Sequence, residues 1–89
     1  MIQQQVTIIN KLGLHARAAA KFVSCATVFS SAVRVGQEGN LVDGKSIMSI
    51  MMLAAAKGST LELQVEGADE QHALDALVQL IANRFDEAE

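Results

Sequence analysis

The chain has no tryptophan, no tyrosine and no proline, and a single cysteine, Cys25. One cysteine excludes a disulfide framework. With no Cys-x-x-Cys pair and no His/Cys cluster, it also argues against a zinc or redox module, so no metal and no cofactor is expected. Only three Phe residues are present, without a stacking pattern, and Lys and Arg form no run. Nucleic acid is therefore a poor candidate partner. There are no internal repeats and no low-complexity linkers. The apolar runs are far too short to span a bilayer. The start, Met1-Ile2-Gln3-Gln4-Gln5, lacks the basic region and long apolar stretch of a signal peptide. A reducing, cytoplasmic setting without membrane insertion is expected. The length of 89 residues allows one domain, 1–89, with one core, expected to be monomeric.

Charge is scarce but uneven. Residues 1–58 hold six basic and two acidic side chains, a net of +4. Residues 59–89 hold one basic and eight acidic, a net of −7. The front half is thus suited to something negative, either an acidic protein surface or a phosphoryl group.

Periodicity predicts the elements. Ile2, Val6 and Ile8 alternate with polar residues, marking a strand over Ile2–Ile9. Asn10-Lys11-Leu12-Gly13-Leu14 is a loop. Ala16–Phe29 is an alanine-rich helix with Ala18, Phe22, Cys25 and Phe29 on one face. Ala32–Val35 and Leu41–Asp43 are short strands around a turn. Ser46 is a good N-cap for a helix over Ile47–Leu53. Leu61, Leu63 and Val65 alternate with Glu62, Gln64 and Glu66, the clearest strand in the chain. Asp69 can cap a last helix whose apolar stripe is Leu74, Leu77, Val78, Ile81 and Phe85. The order β-α-β-β-α-β-α suits an α+β, two-layer domain: an antiparallel sheet covered on one face by helices and polar on the other. A ferredoxin-like arrangement shares the first six elements and is the neighbouring alternative.

The candidate chemistry lies in Gly13-Leu14-His15-Ala16-Arg17. His15 sits where a strong helix begins. Free N–H groups and a partial positive charge gather there, which binds anions and disfavours a cation on the ring. A neutral imidazole is a nucleophile, and the Arg17 guanidinium can grip a phosphate with two parallel bonds. By position alone, a histidine before a helix is more often a surface residue without chemistry. The surrounding residues decide the matter.

Asn10-Lys11-Leu12-Gly13-Leu14-His15-Ala16-Arg17-Ala18-Ala19-Ala20-Lys21-Phe22-Val23 resembles the active-site segment of HPr, the histidine-containing phosphocarrier family of the bacterial phosphoenolpyruvate-dependent sugar phosphotransferase system (PTS). Gly44-Lys45-Ser46-Ile47-Met48, followed by Met51 and Leu53, is similar to that family's second signature, at the matching separation. The resemblance covers nearly the whole chain. It implies an open-faced β-sandwich of four antiparallel strands and three helices. It also implies a phosphotransfer intermediate that is not an independent enzyme. His15 would accept phosphate on Nδ1 from enzyme I and donate it to enzyme IIA domains, with Arg17 as the active-site arginine. Ser46 would be the site where an HPr kinase/phosphorylase adds a regulatory phosphate. Two readings compete with this: a paralogue serving a nitrogen-regulatory branch, and a ferredoxin-like binding module that carries no phosphate.

Many members of the family have proline after the arginine, where this chain has Ala18. Alanine keeps its N–H, so Ala16, Arg17 and Ala18 are all candidate phosphate donors. The helix at Ile47–Leu53 is apolar all round. Either all of it is core, or Ile47, Met48 and Met51 form an exposed patch that adapts to partners, with Lys21 and Lys45 as its basic rim. Cys25 reads as inert core and His72 as a solvated residue. Asp69, Glu70 and the acidic tail Asp86-Glu87-Ala88-Glu89 read as helix capping and solubility.

Overall fold

A computed structural model describes residues 1–89. The strands are β1 (Ile2–Thr7), β2 (Ala32–Gln37), β3 (Asn40–Asp43) and β4 (Thr60–Glu66). The helices are α1 (Ala16–Thr27), α2 (Ile47–Met52) and α3 (Glu70–Ala82), and a short turn of helix follows at Arg84–Asp86. The strands form one antiparallel sheet in the order β1-β4-β2-β3. This is the open-faced α+β sandwich, with three helices, that the sequence leads one to expect. It replaces the ferredoxin-like alternative.

Strand alternation places the core. Leu61, Leu63 and Val65 of β4 and Val33 and Val35 of β2 are buried. They meet Ala18, Ala19, Phe22 and Ala26 of α1 and Leu74, Leu77 and Ile81 of α3. Four alanines (the three of α1 and Ala73 of α3) are fully buried, so small side chains let these helices lie close on the sheet.

Several boundaries differ from the sequence reading, and β2 runs on to Gln37 with β3 beginning at Asn40, so the turn between them is shorter than expected. Strand β1 stops at Thr7, although Ile8 still exchanges bonds with the start of β4: its N–H donates to Ser59 O, and Gly58 N–H donates to its carbonyl. Helix α1 stops at Thr27, because its last turn tightens through Val28 N–H to Cys25 O and Phe29 N–H to Ala26 O. Cys25 and Phe29 are half-buried, not core; partial burial pushes the Cys25 thiol up. Helix α2 stops at Met52, one residue short of the expected end.

The end of α3 departs most. Phe85 fits the helical stripe four residues after Ile81, yet the helix ends at Ala82. Arg84, Phe85 and Asp86 then take φ values of 57°, 53° and 63°. A left-handed conformation costs roughly 1–2 kcal/mol per residue for L-amino acids. Here it turns Phe85 into the core, where it is fully buried, and sends the last residues back toward α1.

Asp69 also does something other than cap α3. No side-chain cap bond forms there. Its carboxylate accepts instead from Ser30 N–H (2.9 Å), Ser31 N–H (3.0 Å) and the Ser31 hydroxyl, tying the start of α3 to the turn before β2. Glu70 does the local work by accepting from Gly67 N–H at 3.1 Å. The Ser31 hydroxyl, and then the Ser30 amide, hold Asp69 down at about 2, below the ordinary value near about 3.9. Because the folded value is the lower one, this tie stabilises the fold above about pH 4 and is lost as pH falls toward about 2. The melting temperature should fall across that window. The fall should be shallower in Asp69→Asn, which thermal unfolding followed by circular dichroism would test. An unchanged profile in the variant would count against the tie.

Candidate functional site

Gly13 shapes the loop that presents His15. Its φ is +67°, and a Cβ placed there would lie 2.4 Å from Ala55 O. Only glycine fits both the left-handed turn and the close approach. The neighbouring Leu14 N–H donates to Ala55 O at 2.9 Å. The His15 loop is thereby pinned to the segment leaving α2. His15 then occupies the N-cap of α1 with extended backbone, φ −73° and ψ 177°. Its carbonyl accepts from Ala19 N–H, and its ring Nδ1 accepts from Arg17 N–H at 3.3 Å. The imidazole thus serves as its own helix cap.

The ring is 28% exposed. It faces an open cleft of about 550 Å³ lined by Lys11, Leu12, Arg17 and the C-terminal residues from Asp86 to Glu89. Arg17 and Ala16 are exposed. Ala18 is not: it is wholly buried in the core, so its amide is closed to the cleft. The expectation that Ala18 faces a bound phosphate is corrected for that reason. The basic side chains at the cleft are Arg17 and Lys11, and Lys11 is paired with Glu89.

The acidic tail is the largest revision. From the sequence it reads as helix capping and solubility. In the fold it closes over the basic loop. Glu87 Oε2 meets Nε2 of His15 at short range, and Glu87 Oε1 accepts from the Asn10 side-chain amide at 3.0 Å. That amide also donates to Gly13 O at 2.9 Å, and Asn10 is fully buried. The Lys11 backbone N–H donates to Glu89 O at 2.5 Å, the Lys11 ammonium pairs with the Glu89 side-chain carboxylate at 3.3 Å, and Asp86 pairs with Lys21 at 3.4 Å. Burial would push Glu87 up. The Asn10 amide, the hydrogen bond to His15 and the nearby Arg17 charge together outweigh it and hold the carboxyl below its usual range. Neither Asn10 nor Glu87 carries a local sign of this role. The uneven charge of the chain was the available clue, since part of what the basic front half meets is the protein's own tail.

The second segment behaves as expected in one respect and differs in another. The Ser46 hydroxyl accepts from Ser49 N–H at 3.3 Å, an ordinary N-cap bond. Of α2 only Ile50 is buried, while Ile47, Met48 and Met51 are exposed, as the second of the two sequence readings has it. Met52 of the same helix is also exposed (80%), as is Leu12 of the His15 loop (66%), and the sequence reading places neither in the patch. The basic rim is less free than expected: Lys21 is paired with Asp86, and Lys45 donates to Phe29 O at 2.8 Å, just beyond α1. His72 is exposed. No helix is long and apolar enough to cross a membrane.

Comparison with known proteins agrees with this geometry. Residues 2–83 match the family described as PTS HPr component phosphorylation site. The chain is 58% identical over 89 residues to the phosphocarrier protein HPr of Cupriavidus necator, covering 100% of both chains. It is 63% identical over 86 residues to that of Pseudomonas aeruginosa, covering 96% of each. A crystal structure of HPr-C-His from Thermoanaerobacter tengcongensis superposes with a TM-score of 0.95 at 45% identity, covering 100% of both chains. With the fold, both signature segments and relatives matched along their whole length, the chain belongs to the HPr family of the phosphotransferase system.

Proposed function

We propose that this protein carries a phosphoryl group on Nδ1 of His15, taking it from phospho-enzyme I and giving it to enzyme IIA domains. The observation that supports this most is the arrangement of the ring. Nδ1 accepts an N–H at the start of α1, so it carries a lone pair, and it does so at a cleft edged by Arg17 and Lys11. Phosphoryl transfer asks chiefly for positioning and for cations and amides where negative charge gathers. The exposed residues Ile47, Met48, Met51, Met52 and Leu12 are assigned to the partners. Methionines repack against different surfaces, which suits a carrier that must fit a donor and an acceptor in turn. The intact Gly44–Met48 segment favours the sugar branch over the nitrogen branch.

Incubation with phosphoenolpyruvate and enzyme I tests the reading. Acid-labile, base-stable phosphate should appear on His15. Phosphate that is absent, or found on another residue, would overturn it. The same assay tests Ser46 as a regulatory site. A phosphate there adds about −2 charge beside the apolar patch, and Ser46→Asp should slow uptake from enzyme I while leaving the melting temperature nearly unchanged. An unchanged uptake rate would remove Ser46 from the proposal.

A further inference from the structure

We infer that Glu87 is a positioning residue for the His15 imidazole, holding its proton on Nε2 and stabilising the charge the ring gains when Nδ1 takes the phosphoryl group. This rests on the carrier reading above.

The ring has two nitrogens and both are engaged. Nδ1 accepts from Arg17 N–H, and Nε2 meets the Glu87 carboxylate. A neutral imidazole can satisfy both partners in one way only, with its proton on Nε2 and its lone pair on Nδ1. Glu87 is itself held. Its other oxygen accepts from Asn10, whose amide is anchored on Gly13 O. Ion pairs from Asp86 to Lys21 and from Glu89 to Lys11 flank it on both sides. Its side chain is only 15% exposed, so the contact is partly shielded from water.

The transfer step balances as follows. The Nδ1 lone pair forms the N–P bond as the donor's bond to phosphorus breaks, and that pair leaves with the donor. Nε2 keeps its proton, and the ring becomes a cation. The Glu87 carboxylate lies against the nitrogen that bears the proton, on the ring edge away from the phosphoryl group. Delivery to the acceptor reverses the movement: the N–P pair returns to Nδ1. A carboxylate that interacts more strongly with the cationic ring than with the neutral one lowers the barrier without tightening the encounter.

The alternative is that the tail is a gate, its three carboxylates repelling an incoming phosphoryl donor. The two readings differ in sign. Glu87→Ala should lower kcat for phosphoryl uptake by about tenfold with little change in KM, and Glu87→Asp should recover part of it. A merely structural role would not move a second readout. The Nε2–H proton should give a downfield NMR resonance protected from exchange in the unphosphorylated protein; it should vanish in Glu87→Ala and persist in Glu87→Asp. Equal rates in wild type and Glu87→Ala, or an unaltered resonance, would overturn the assignment and leave the carrier reading standing. A faster Glu87→Ala would overturn it in favour of the gate. Wild-type protein that takes no phosphate on His15 would overturn both readings together.

Discussion

His15→Ala is expected to abolish phosphate uptake from phosphoenolpyruvate and enzyme I while leaving the fold intact. The proposed nucleophile is removed outright, and no second group stands in for it: His72 is exposed and far along the chain, with no anion-facing arginine assigned to it. The structural cost is small. The ring gives up its bond to Arg17 N–H, a helix cap worth about 1 kcal/mol, and its contact with Glu87. Arg17→Ala should fold equally well, since the side chain is exposed, and should slow uptake by about 100–1000-fold, the usual consequence of losing one group that stabilises transition-state charge. Arg17→Lys should recover little, because an ammonium cannot make the paired bonds of a guanidinium. Radiolabelled uptake read beside circular dichroism separates chemistry from folding. Label retained in a folded His15→Ala would refute the assigned nucleophile.

Phe85→Ala should produce the largest loss of stability among single changes near the tail. Phe85 is fully buried, and truncating such a ring costs about 3–5 kcal/mol. Against a total of about 5–15 kcal/mol for a domain, that is a large fraction. The substitution also removes what offsets the left-handed turn at Arg84–Asp86. The tail should then detach from His15, and the uptake rate should approach that of Glu87→Ala even where the domain remains folded. The double variant Phe85→Ala/Glu87→Ala should therefore be scarcely slower than either single one. Urea unfolding measures the first effect and uptake kinetics the second. A loss under about 1 kcal/mol would mean that Phe85 does not anchor the turn.

The legible parts of this protein are those written in near neighbours. Alternation over Leu61–Val65 located a strand, and the alanines and Phe22 located α1. Six apolar residues among Ile47–Leu53 are too many to bury on one helix face, so exposure was readable before the structure. His15 and Arg17 stand two residues apart, and the helix start that serves them is a local property. The illegible parts depend on distance or on an unusual backbone. Asp69 has the position of a helix cap, but its carboxylate is taken by Ser30 and Ser31, nearly forty residues earlier in the chain. Ala18 keeps an amide that a phosphate could use, but packing seals it.

By itself the sequence determined the element order, the inward faces and the placing of a histidine at a helix start. Each follows from hydrogen bonding and apolar spacing within a few residues. Only the tertiary structure decided what holds that histidine. Phe85 has the right spacing to continue α3, and no periodic signal marks a reversal of backbone hand. Once burial of that ring turns the chain back, charges more than seventy residues apart become neighbours, and a run of acid that looks like a soluble end becomes part of the site.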